Sequence, residues 1–415
     1  MCDAVRVLML SWEYPPLVVG GLGRHVEALA RELASMGHDV RVVTRGDSAA
    51  GSDEVHEGVR IIRAALDPLA IDFTTESLLA WAQASEHAML RAALPIVRGW
   101  RPDVVHAHDW LVAQTAVTLT QVAGAPLVAT LHASEAGRHQ GWLPRPLNLA
   151  IHSVERWLAQ RADEVITCSM TMRSEATQLF ELPPDRVAVV PNGIDAPRWR
   201  APAKTRAAAR GQHPGGGPLL VYAGRLVHEK GVQTLLDTIR PLRQAHPDLR
   251  LAIAGTGAHE AALRAQARKL RIARTIDWLG FVPETRLAAL LGAADAVVVP
   301  SFYEPFGIVA LEAAASGAPL VVAETGGLRD LVAAGIAAAS FPAGDADALT
   351  TVIGKLLADP ATARQTAARA ARIVRRSYTW GAVAAQTEAV YARAGQRRRR
   401  PGVRSTAVTT ASGGP

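Results

Sequence analysis

Residues 300–317, PSFYEPFGIVALEAAASG, carry two acidic residues at a spacing that suits ligand binding. The apolar run 296–299 ends at a proline just before them, which predicts a buried strand. A helix rich in alanine and leucine is predicted from about Gly307, and a glycine ends it. Glu304 lies in the intervening loop, and Glu312 lies about one and a half turns into the helix. The two acids should therefore lie near the carboxyl end of a strand, where α/β sheets bind ligands.

The start of this helix also offers hydrogen-bond donors to an anion. The free backbone N–H groups of Phe306, Gly307 and Ile308 would point out of the helix N-terminus. Gly307 lacks a side chain, so a ligand can approach the backbone closely. A plain strand–helix unit would explain Glu304, because an acid is favoured at a helix N-terminus. It would not explain why a second acid, an aromatic residue and a glycine share the same segment.

Two basic residues follow an earlier predicted strand in LLVYAGRLVHEKGV, residues 219–232. Gly224 and Arg225 lie at the strand end, and Lys230 comes shortly after. A forked guanidinium and a compact ammonium group together suit a diphosphate. The alternative is a pair of solvated surface cations. The helix start at Gly307, at the same edge of the same predicted sheet, favours the diphosphate clamp.

The N-terminal segment 12–37, WEYPPLVVGGLGRHVEALARELASMG, places Gly20 and Gly21 before an amphipathic helix. Glycines at a helix start suit contact with a phosphate, but tight turns use the same residues. This segment alone leaves both interpretations open.

Histidines follow two later strands of the first half. The segment VVHAHDWLVA places His106, His108, Asp109 and Trp110 at one strand end, and His132 ends the next strand. Two histidines and an aspartate could bind a metal ion. However, side chains alternate along a strand, so His106 and His108 share one face and Asp109 points to the other. We therefore expect no metal site. His132 is either a ligand contact or a half-buried ring.

Alternating apolar strands and helical segments predict two doubly wound α/β domains that face each other across a cleft. A segment rich in Pro, Arg, Ala and Gly, residues 196–217, predicts a linker. The first domain is then 1–195 and the second is 218–376. The predicted strands are Val5–Leu10, Asp39–Thr44, Val59–Arg63, Val104–Ala107, Leu127–Leu131, Val165–Cys168, Val187–Val190, Leu219–Tyr222, Leu251–Ala254, Ile276–Leu279, Ala296–Val299 and Leu320–Ala323.

Composition narrows the class of protein. A chain of 415 residues with 49% hydrophobic and 20% charged residues is typical of a two-domain globular protein. The net charge of +7 comes mostly from residues 396–415, which contain five arginines and no acid. This distribution argues against nucleic-acid binding. The tail itself is predicted to be disordered and dispensable for activity, with at most weak contact with an anionic membrane surface.

We predict a cytoplasmic protein from the N-terminal sequence, the apolar runs and the cysteines. The N-terminal apolar run is too short for a signal peptide. The uncharged run 111–131 contains polar residues, a glycine and a proline that favour a helix, a turn and a strand over a membrane span. Cys2 and Cys168 have no metal or redox spacing and suit a reducing compartment.

Taken together, these motifs resemble the retaining glycosyltransferases of the GT-B fold, specifically glycosyltransferase family 4, over residues 5–395. Within that family the chain is most similar to bacterial α-1,4-glucosyltransferases related to glycogen synthase, including enzymes that build methylated glucose polysaccharides. It differs from glycogen synthases proper at Val18, where they have lysine, and at Glu312, where their helix lacks the acid. The segments that carry the resemblance are EYPPLVVGGLG, HAHDW, TLHASE, PNGID, GRLVHEKG, YEPFGIVALE and ETGGLRD.

The resemblance implies a role for each motif residue. Arg225 and Lys230, next to Gly224, would hold the donor diphosphate, and Gly20 and Gly21 would close over it from the first domain. The donor would also be bound by the backbone of Phe306, Gly307 and Ile308, by Glu304 at the sugar hydroxyls and by Glu312 at the ribose. His132 would contact the sugar, with Asp109 and Trp110 on the acceptor side. The catalytic residues would be His132, Arg225, Lys230 and Glu304.

The resemblance also implies the reaction and its partners. A hexose, chiefly glucose, would move from ADP- or UDP-glucose to an α-glucan, with the departing phosphate taking the acceptor's proton. No cofactor or metal is implied, because Arg225 and Lys230 supply the counter-charge. The last helix, residues 377–394, would pack back on the first domain and bury Trp380 between the domains. The donor base, the acceptor and the oligomeric state are left open.

Three alternative functions would each need different features of the sequence. A family 4 enzyme could use another sugar, such as mannose, on a lipid or small-molecule acceptor. A noncatalytic glucan-binding module could use Trp12, Trp110 or Trp142 as stacking platforms, but it has no need of a diphosphate clamp. A dinucleotide oxidoreductase would place its glycine fingerprint directly after a strand. The glycines near Gly21 lie about ten residues beyond the first strand, which argues against that enzyme.

Overall fold

Two sheets of mainly parallel strands, with helices packed against them, organise the computed structural model. It describes residues 4–17, 20–47, 49–67, 69–213 and 216–399. The predicted fold class, two Rossmann-like α/β domains, is confirmed. All twelve predicted strands are present, with ends shifted by at most one residue.

The first sheet has the strand order β3-β4-β2-β1-β5-β6-β7-β8, and only the β3–β4 pair is antiparallel. Its strands are β1 (Arg6–Ser11), β2 (Asp39–Arg45), β3 (Ser52–His56), β4 (Val59–Ala64), β5 (Val104–His108), β6 (Leu127–Leu131), β7 (Glu164–Thr167) and β8 (Val187–Val189). The helices of this part are α1 (Gly21–Ser35), α2 (Leu78–Trp100), α3 (Ala113–Ala123), α4 (Glu135–Arg138), α5 (Pro146–Arg161) and α6 (Met170–Leu179).

The second sheet is parallel throughout, in the order β11-β10-β9-β12-β13-β14. Its strands are β9 (Leu219–Ala223), β10 (Arg250–Ala254), β11 (Ile276–Gly280), β12 (Ala296–Val299), β13 (Leu320–Ala323) and β14 (Ala339–Phe341). The helices are α7 (Ala203–Gly211), α8 (Val232–Ala245), α9 (Glu260–Lys269), α10 (Glu284–Ala293), α11 (Ile308–Ser316), α12 (Gly326–Ala333), α13 (Ala346–Ala358), α14 (Pro360–Ser377) and α15 (Trp380–Arg399).

The central strands are mostly apolar because helices cover both faces of each sheet. Every residue of β6, β9 and β12 is buried, so these strands show no alternation of buried and exposed positions. The two strands that the sequence did not predict lie at sheet edges. Strand β3 is fully exposed and reads SDEVH, and β14 is only three residues long. Polar and short edge strands lack the apolar run by which a buried strand is detected.

The described residues of the segment 196–217 form more secondary structure than a linker would. It contains a 3-10 helix, Ala196–Trp199, and then α7, which packs on α10 of the second domain. Arg210 Nη1 lies 2.6 Å from Asp295 Oδ2, and Arg206 packs against Gly292. The short helix α7 could not be predicted from the composition of this segment, because tertiary contacts hold it in place.

The last helix packs on the first domain, as predicted, through contacts with α1, β6 and β7. The expected position of Trp380 between the domains is wrong in detail. Its half-buried ring lies edge-on to His25 at 5.3 Å and against Gly193, both in the first domain. Tyr378, two residues earlier, has neighbours in both domains instead. Its ring lies 6.3 Å from Phe306, and its carbonyl accepts a 2.8 Å hydrogen bond from Ile194 N–H.

Helix α15 continues to Arg399, so the prediction of a disordered tail is wrong for residues 396–399. Arg397 Nη2 lies 2.7 Å from Asp185 Oδ2, and its Nε pairs with Glu164, whose side chain is fully buried. Arg398 donates to the carbonyl of Gly124 at 3.1 Å. These partners stabilise the last turn of the helix against the first domain. Residues 400–415 lie outside the described residues.

Truncation of the chain after Gly395 is therefore expected to destabilise the first domain. Among the described residues, loss of Arg397 leaves Arg393 as the remaining charged partner of the buried Glu164 carboxylate. A buried acceptor that loses a hydrogen bond costs about 1–3 kcal/mol. Thermal unfolding should show a lower midpoint for this truncation than for one after Arg399, which keeps both arginines. Equal midpoints for the two truncations would contradict the role of Arg397.

Among the residues that the structure describes, no helix has both the length and the apolar character needed to cross a membrane.

Candidate active site

The carboxyl ends of β6 in the first sheet and β12 in the second lead into loops that touch each other. The backbone N–H of Ser134, after β6, donates to the Tyr303 hydroxyl, after β12, at 3.3 Å. The two predicted phosphate-binding helix starts also meet. A β-carbon built at Gly21, at the start of α1, would lie 3.0 Å from Ile308 Cδ1 at the start of α11. Most of the predicted site residues lie around this seam.

Lys230 and Glu304 form an ion pair on the second-domain side. Lys230 Nζ lies 2.7 Å from Glu304 Oε2, and the two side chains are only 18% and 14% exposed. The Ser301 hydroxyl also donates to Glu304 Oε2, at 3.3 Å. The two loops are joined by a 2.8 Å hydrogen bond from Phe302 N–H to the carbonyl of Glu229. Two residues that the sequence assigned to the donor are thus in direct contact.

Arg225 remains accessible beside this pair. Its side chain is 57% exposed, and its nearest charged partner is Glu229, with Nη2 and Oε1 3.6 Å apart. Its backbone is held in place because its carbonyl accepts a 2.8 Å hydrogen bond from the Tyr222 hydroxyl. The preceding residue, Gly224, has φ of 148°, which glycine tolerates. The guanidinium is therefore free to turn towards an anion while its backbone stays fixed.

The start of α11 needs glycine for its backbone conformation and for packing inside the second domain. Gly307 has φ of 102°, and a β-carbon there would lie 2.6 Å from Leu328 Cδ2. Phe306 is buried, and Ile308 is partly buried. Glu312, which the resemblance assigned to the donor ribose, is buried. Its burial raises its pKa to about 8, although the charge of Arg24 on α1 acts in the opposite direction.

On the first-domain side, His132 is held by two neighbours of the preceding strand. Its backbone N–H donates to Asp109 Oδ1 at 2.8 Å, and its Nε2 lies 3.2 Å from His108 Nδ1. The expected alternation holds, because the rings of His106 and His108 lie 4.2 Å apart. Asp109 has φ of 63°, an unfavourable value for a residue other than glycine. The surrounding protein desolvates Asp109 and raises its pKa to about 7.

Gly20 directly precedes α1, and Trp110 directly follows Asp109. Gly20 is exposed, and its N–H donates to Glu13 Oε2 at 3.0 Å. Trp110 begins a short 3-10 helix and is partly buried. The residues 18–19 just before Gly20 are outside the described part of the chain.

Comparison with known proteins gives the family. The family model described as Glycosyl transferases group 1 matches residues 204–373, and that described as Glycosyl transferase 4-like domain matches residues 20–193. Glycogen synthase of Mycobacterium tuberculosis is 45% identical over 409 residues, which cover 96% of this chain and 97% of that protein. The chain belongs to the group 1 glycosyltransferases. The resemblance predicted from the motifs is confirmed.

Two further comparisons agree with this assignment. D-inositol 3-phosphate glycosyltransferase of Xylanimonas cellulosilytica is 32% identical to this glycosyltransferase, covering 95% of this chain and 98% of that protein. Sucrose-phosphate synthase of Thermosynechococcus elongatus has a TM-score of 0.79 at 24% identity, covering 93% of this chain and 98% of that one. The second likeness shows the GT-B fold.

Sequence reasoning missed His25 in this glycosyltransferase. His25 Nδ1 lies 2.9 Å from Asn192 Oδ1, and its ring packs 4.7 Å from that of His132. Ring nitrogens of His25, His108 and His132 all lie within 4.8 Å of one another. Such a group could hold a transition-metal ion. Its residues differ from His106, His108 and Asp109, which the sequence offered as metal ligands. One signal was available, since His25 lies one turn after Gly21 in an amphipathic helix.

Burial keeps the histidines neutral near pH 7. It lowers the pKa of His132 to about 4 and that of His106 to about 3. A neutral ring can accept or donate a hydrogen bond to a sugar hydroxyl without adding charge. The histidines therefore add no positive charge to that of Lys230 and Arg225 on the second-domain side.

Proposed function

We propose that this glycosyltransferase moves glucose, with retention of the anomeric configuration, from ADP- or UDP-glucose to the end of an α-glucan. The observation that carries the proposal is the Lys230–Glu304 pair at the seam, with the exposed guanidinium of Arg225 in the same loop. The 45% identity to a glycogen synthase over nearly the whole chain supports the choice of glucose and glucan.

The ion pair supplies a way to couple donor binding to catalysis. When a diphosphate arrives, the ammonium of Lys230 can leave Glu304 for the phosphate oxygens, and Arg225 can turn towards them. Glu304 is then free to accept hydrogen bonds from the hydroxyls of the transferred sugar. Cleavage of the sugar–phosphate bond adds negative charge to the leaving diphosphate. The two cations therefore stabilise the transition state more than the bound donor.

The first domain would present the acceptor. In the proposed front-face reaction, the acceptor hydroxyl attacks the anomeric carbon as the diphosphate leaves, and its proton passes to a leaving phosphate oxygen. His132 would bind the sugar near this carbon. Asp109 would fix the backbone of His132, and Trp110 would lie on the acceptor side. The reaction as proposed needs no metal ion, since Lys230 and Arg225 provide the counter-charge.

A panel of donors and acceptors tests this proposal. ADP-glucose, UDP-glucose and GDP-mannose would each be incubated with maltoheptaose and, separately, with an inositol phosphate. We expect extension of maltoheptaose by a glucose donor, with an α-configured product seen by NMR of the anomeric proton. Transfer only from GDP-mannose, or only to the inositol phosphate, would overturn the proposal. A Lys230→Ala sample measures any background hydrolysis.

A further inference from the structure

Glu175 on α6 is a largely buried carboxyl group that the proposed reaction does not use. Its Oε1 accepts hydrogen bonds from the hydroxyl of Ser134 and, at 3.3 Å, from that of Tyr303. Ser134 lies two residues after His132 in the first domain. Tyr303 belongs to the second domain and directly precedes Glu304. Glu175 thus joins the segments that carry the two proposed sugar contacts.

The Tyr303 hydroxyl occupies a space next to Gly137 in the first domain. Tyr303 is 9% exposed although it extends from one domain into the other. A β-carbon at Gly137, on α4, would lie 2.4 Å from both the Tyr303 hydroxyl and Glu175 Oε1. No real side chain fits there, so Gly137 leaves the space that this hydroxyl occupies. Ser134 completes the cluster, since its hydroxyl accepts from Gly137 N–H at 2.8 Å.

The rest of this loop is also tied to the first domain. The Ser169 hydroxyl donates to the carbonyl of Pro305 at 2.8 Å, next to Glu304 on its other side. The Thr171 hydroxyl donates to the carbonyl of Gly326 at 3.0 Å, and Gly327 N–H donates to the carbonyl of Glu304 at 2.8 Å. The residues on both sides of Glu304 are therefore bound to first-domain groups, Tyr303 through its hydroxyl and Pro305 through its carbonyl.

We propose that Tyr303 and Glu175 form an interdomain latch that positions Glu304 against His132 when the domains are closed. The inference rests on the proposed function and deepens it by adding two positioning residues. Neither residue holds the donor phosphates, which are assigned to Lys230 and Arg225 outside the latch. Breaking the latch should therefore slow turnover without weakening donor binding. It should also loosen the closed arrangement, although Ser169 and Thr171 still bind the second domain, and water would then compete with the acceptor for the sugar.

The test compares Tyr303→Phe and Glu175→Ala with a matched control, Tyr378→Phe. Tyr378 lies at the same seam, but its hydroxyl makes no hydrogen bond to any residue that the structure describes. We expect kcat for glucan extension to fall about 10- to 100-fold in the two latch variants, the size of a lost hydrogen bond to a charged or polar partner. Their Kd for ADP or UDP should stay within about twofold of the wild type. Glu175→Gln keeps an acceptor oxygen and should recover most of the activity.

A second readout does not depend on the substrate. Small-angle scattering of the ligand-free proteins should give a larger radius of gyration for Tyr303→Phe and Glu175→Ala than for the wild type and Tyr378→Phe. If the wild type transfers glucose but the latch variants match the control in both measurements, the latch is wrong. Loss of nucleotide binding in the latch variants would also overturn it, since they would then support the second domain as a whole. If the wild type transfers no glucose, the proposed function fails, and scattering still decides whether the latch exists.

Discussion

Replacement of Lys230 by alanine is expected to lower kcat/KM at least ~150-fold, equivalent to about 3 kcal/mol of transition-state stabilisation. The ammonium group is the one cation of the pair that already lies in the site, 2.7 Å from Glu304. Its removal takes away charge that the leaving diphosphate needs. It also leaves the mostly buried Glu304 carboxylate with the Ser301 hydroxyl as its remaining described side-chain donor.

Arg225→Ala should have an effect of similar size on kcat/KM but a smaller one on stability. The Arg225 side chain is largely exposed, and its 3.6 Å contact with Glu229 is the kind of surface pair that contributes about 0–1 kcal/mol. Both variants should therefore fold, which thermal unfolding can verify. Initial rates over a range of donor concentrations give kcat and KM separately.

Lys269→Ala provides a matched control. Lys269 is an exposed lysine of the same domain, at the end of α9. Its loss changes the net charge as much as the loss of Lys230 does, so it accounts for any general electrostatic effect on the anionic donor. Near-normal turnover in both Lys230→Ala and Arg225→Ala would rule out the diphosphate clamp.

Much of the fold could be predicted because its central strands are buried on both faces. Runs such as AVVV at Ala296–Val299 have no polar residue and are bounded by Asp295 and Pro300, so even their ends are readable. Features that depend on distant partners could not be predicted. The order of the last helical turn depends on Arg397 meeting Glu164, 233 positions earlier in the chain. In sequence the same arginines are a basic run, which is typical of a solvated tail.

The candidate site divides in the same way. Lys230 and Glu304 were each predicted from the residues beside them, a strand end and a helix start. Their contact joins residues 74 positions apart, and only the parallel pairing of β9 with β12 brings those loops together. The role of Glu175 could not be predicted from the residues around it. A glutamate in the middle of a helix is usually a solvent-exposed residue. The two hydrogen-bond partners of Glu175, Ser134 in the first domain and Tyr303 in the second, are both distant in sequence.

The last prediction concerns Gly231, which joins the Lys230 loop to α8. Gly231 has φ of 67°, and a β-carbon there would lie 1.9 Å from the carbonyl oxygen of Pro300. That oxygen is backbone at the end of β12, so it cannot rotate away as a side chain could. Alanine at 231 would force the Lys230 loop and the Glu304 loop apart. We expect Gly231→Ala to lower the thermal midpoint markedly and to abolish most of the activity, because the ion pair of the site would be disrupted.

Gly317→Ala separates this steric effect from the cost of the backbone conformation. Gly317 ends α11 with φ of 81°, but no atom lies within 4 Å of a β-carbon built there. Alanine at 317 should therefore cost about 1–2 kcal/mol, the penalty of a left-handed conformation, and leave kcat/KM near that of the wild type. The Gly231 variant should exceed that loss of stability and lose activity as well. If the two variants unfold at the same temperature and are equally active, the close approach of Gly231 to Pro300 does not fix the position of the Lys230 loop relative to the Glu304 loop.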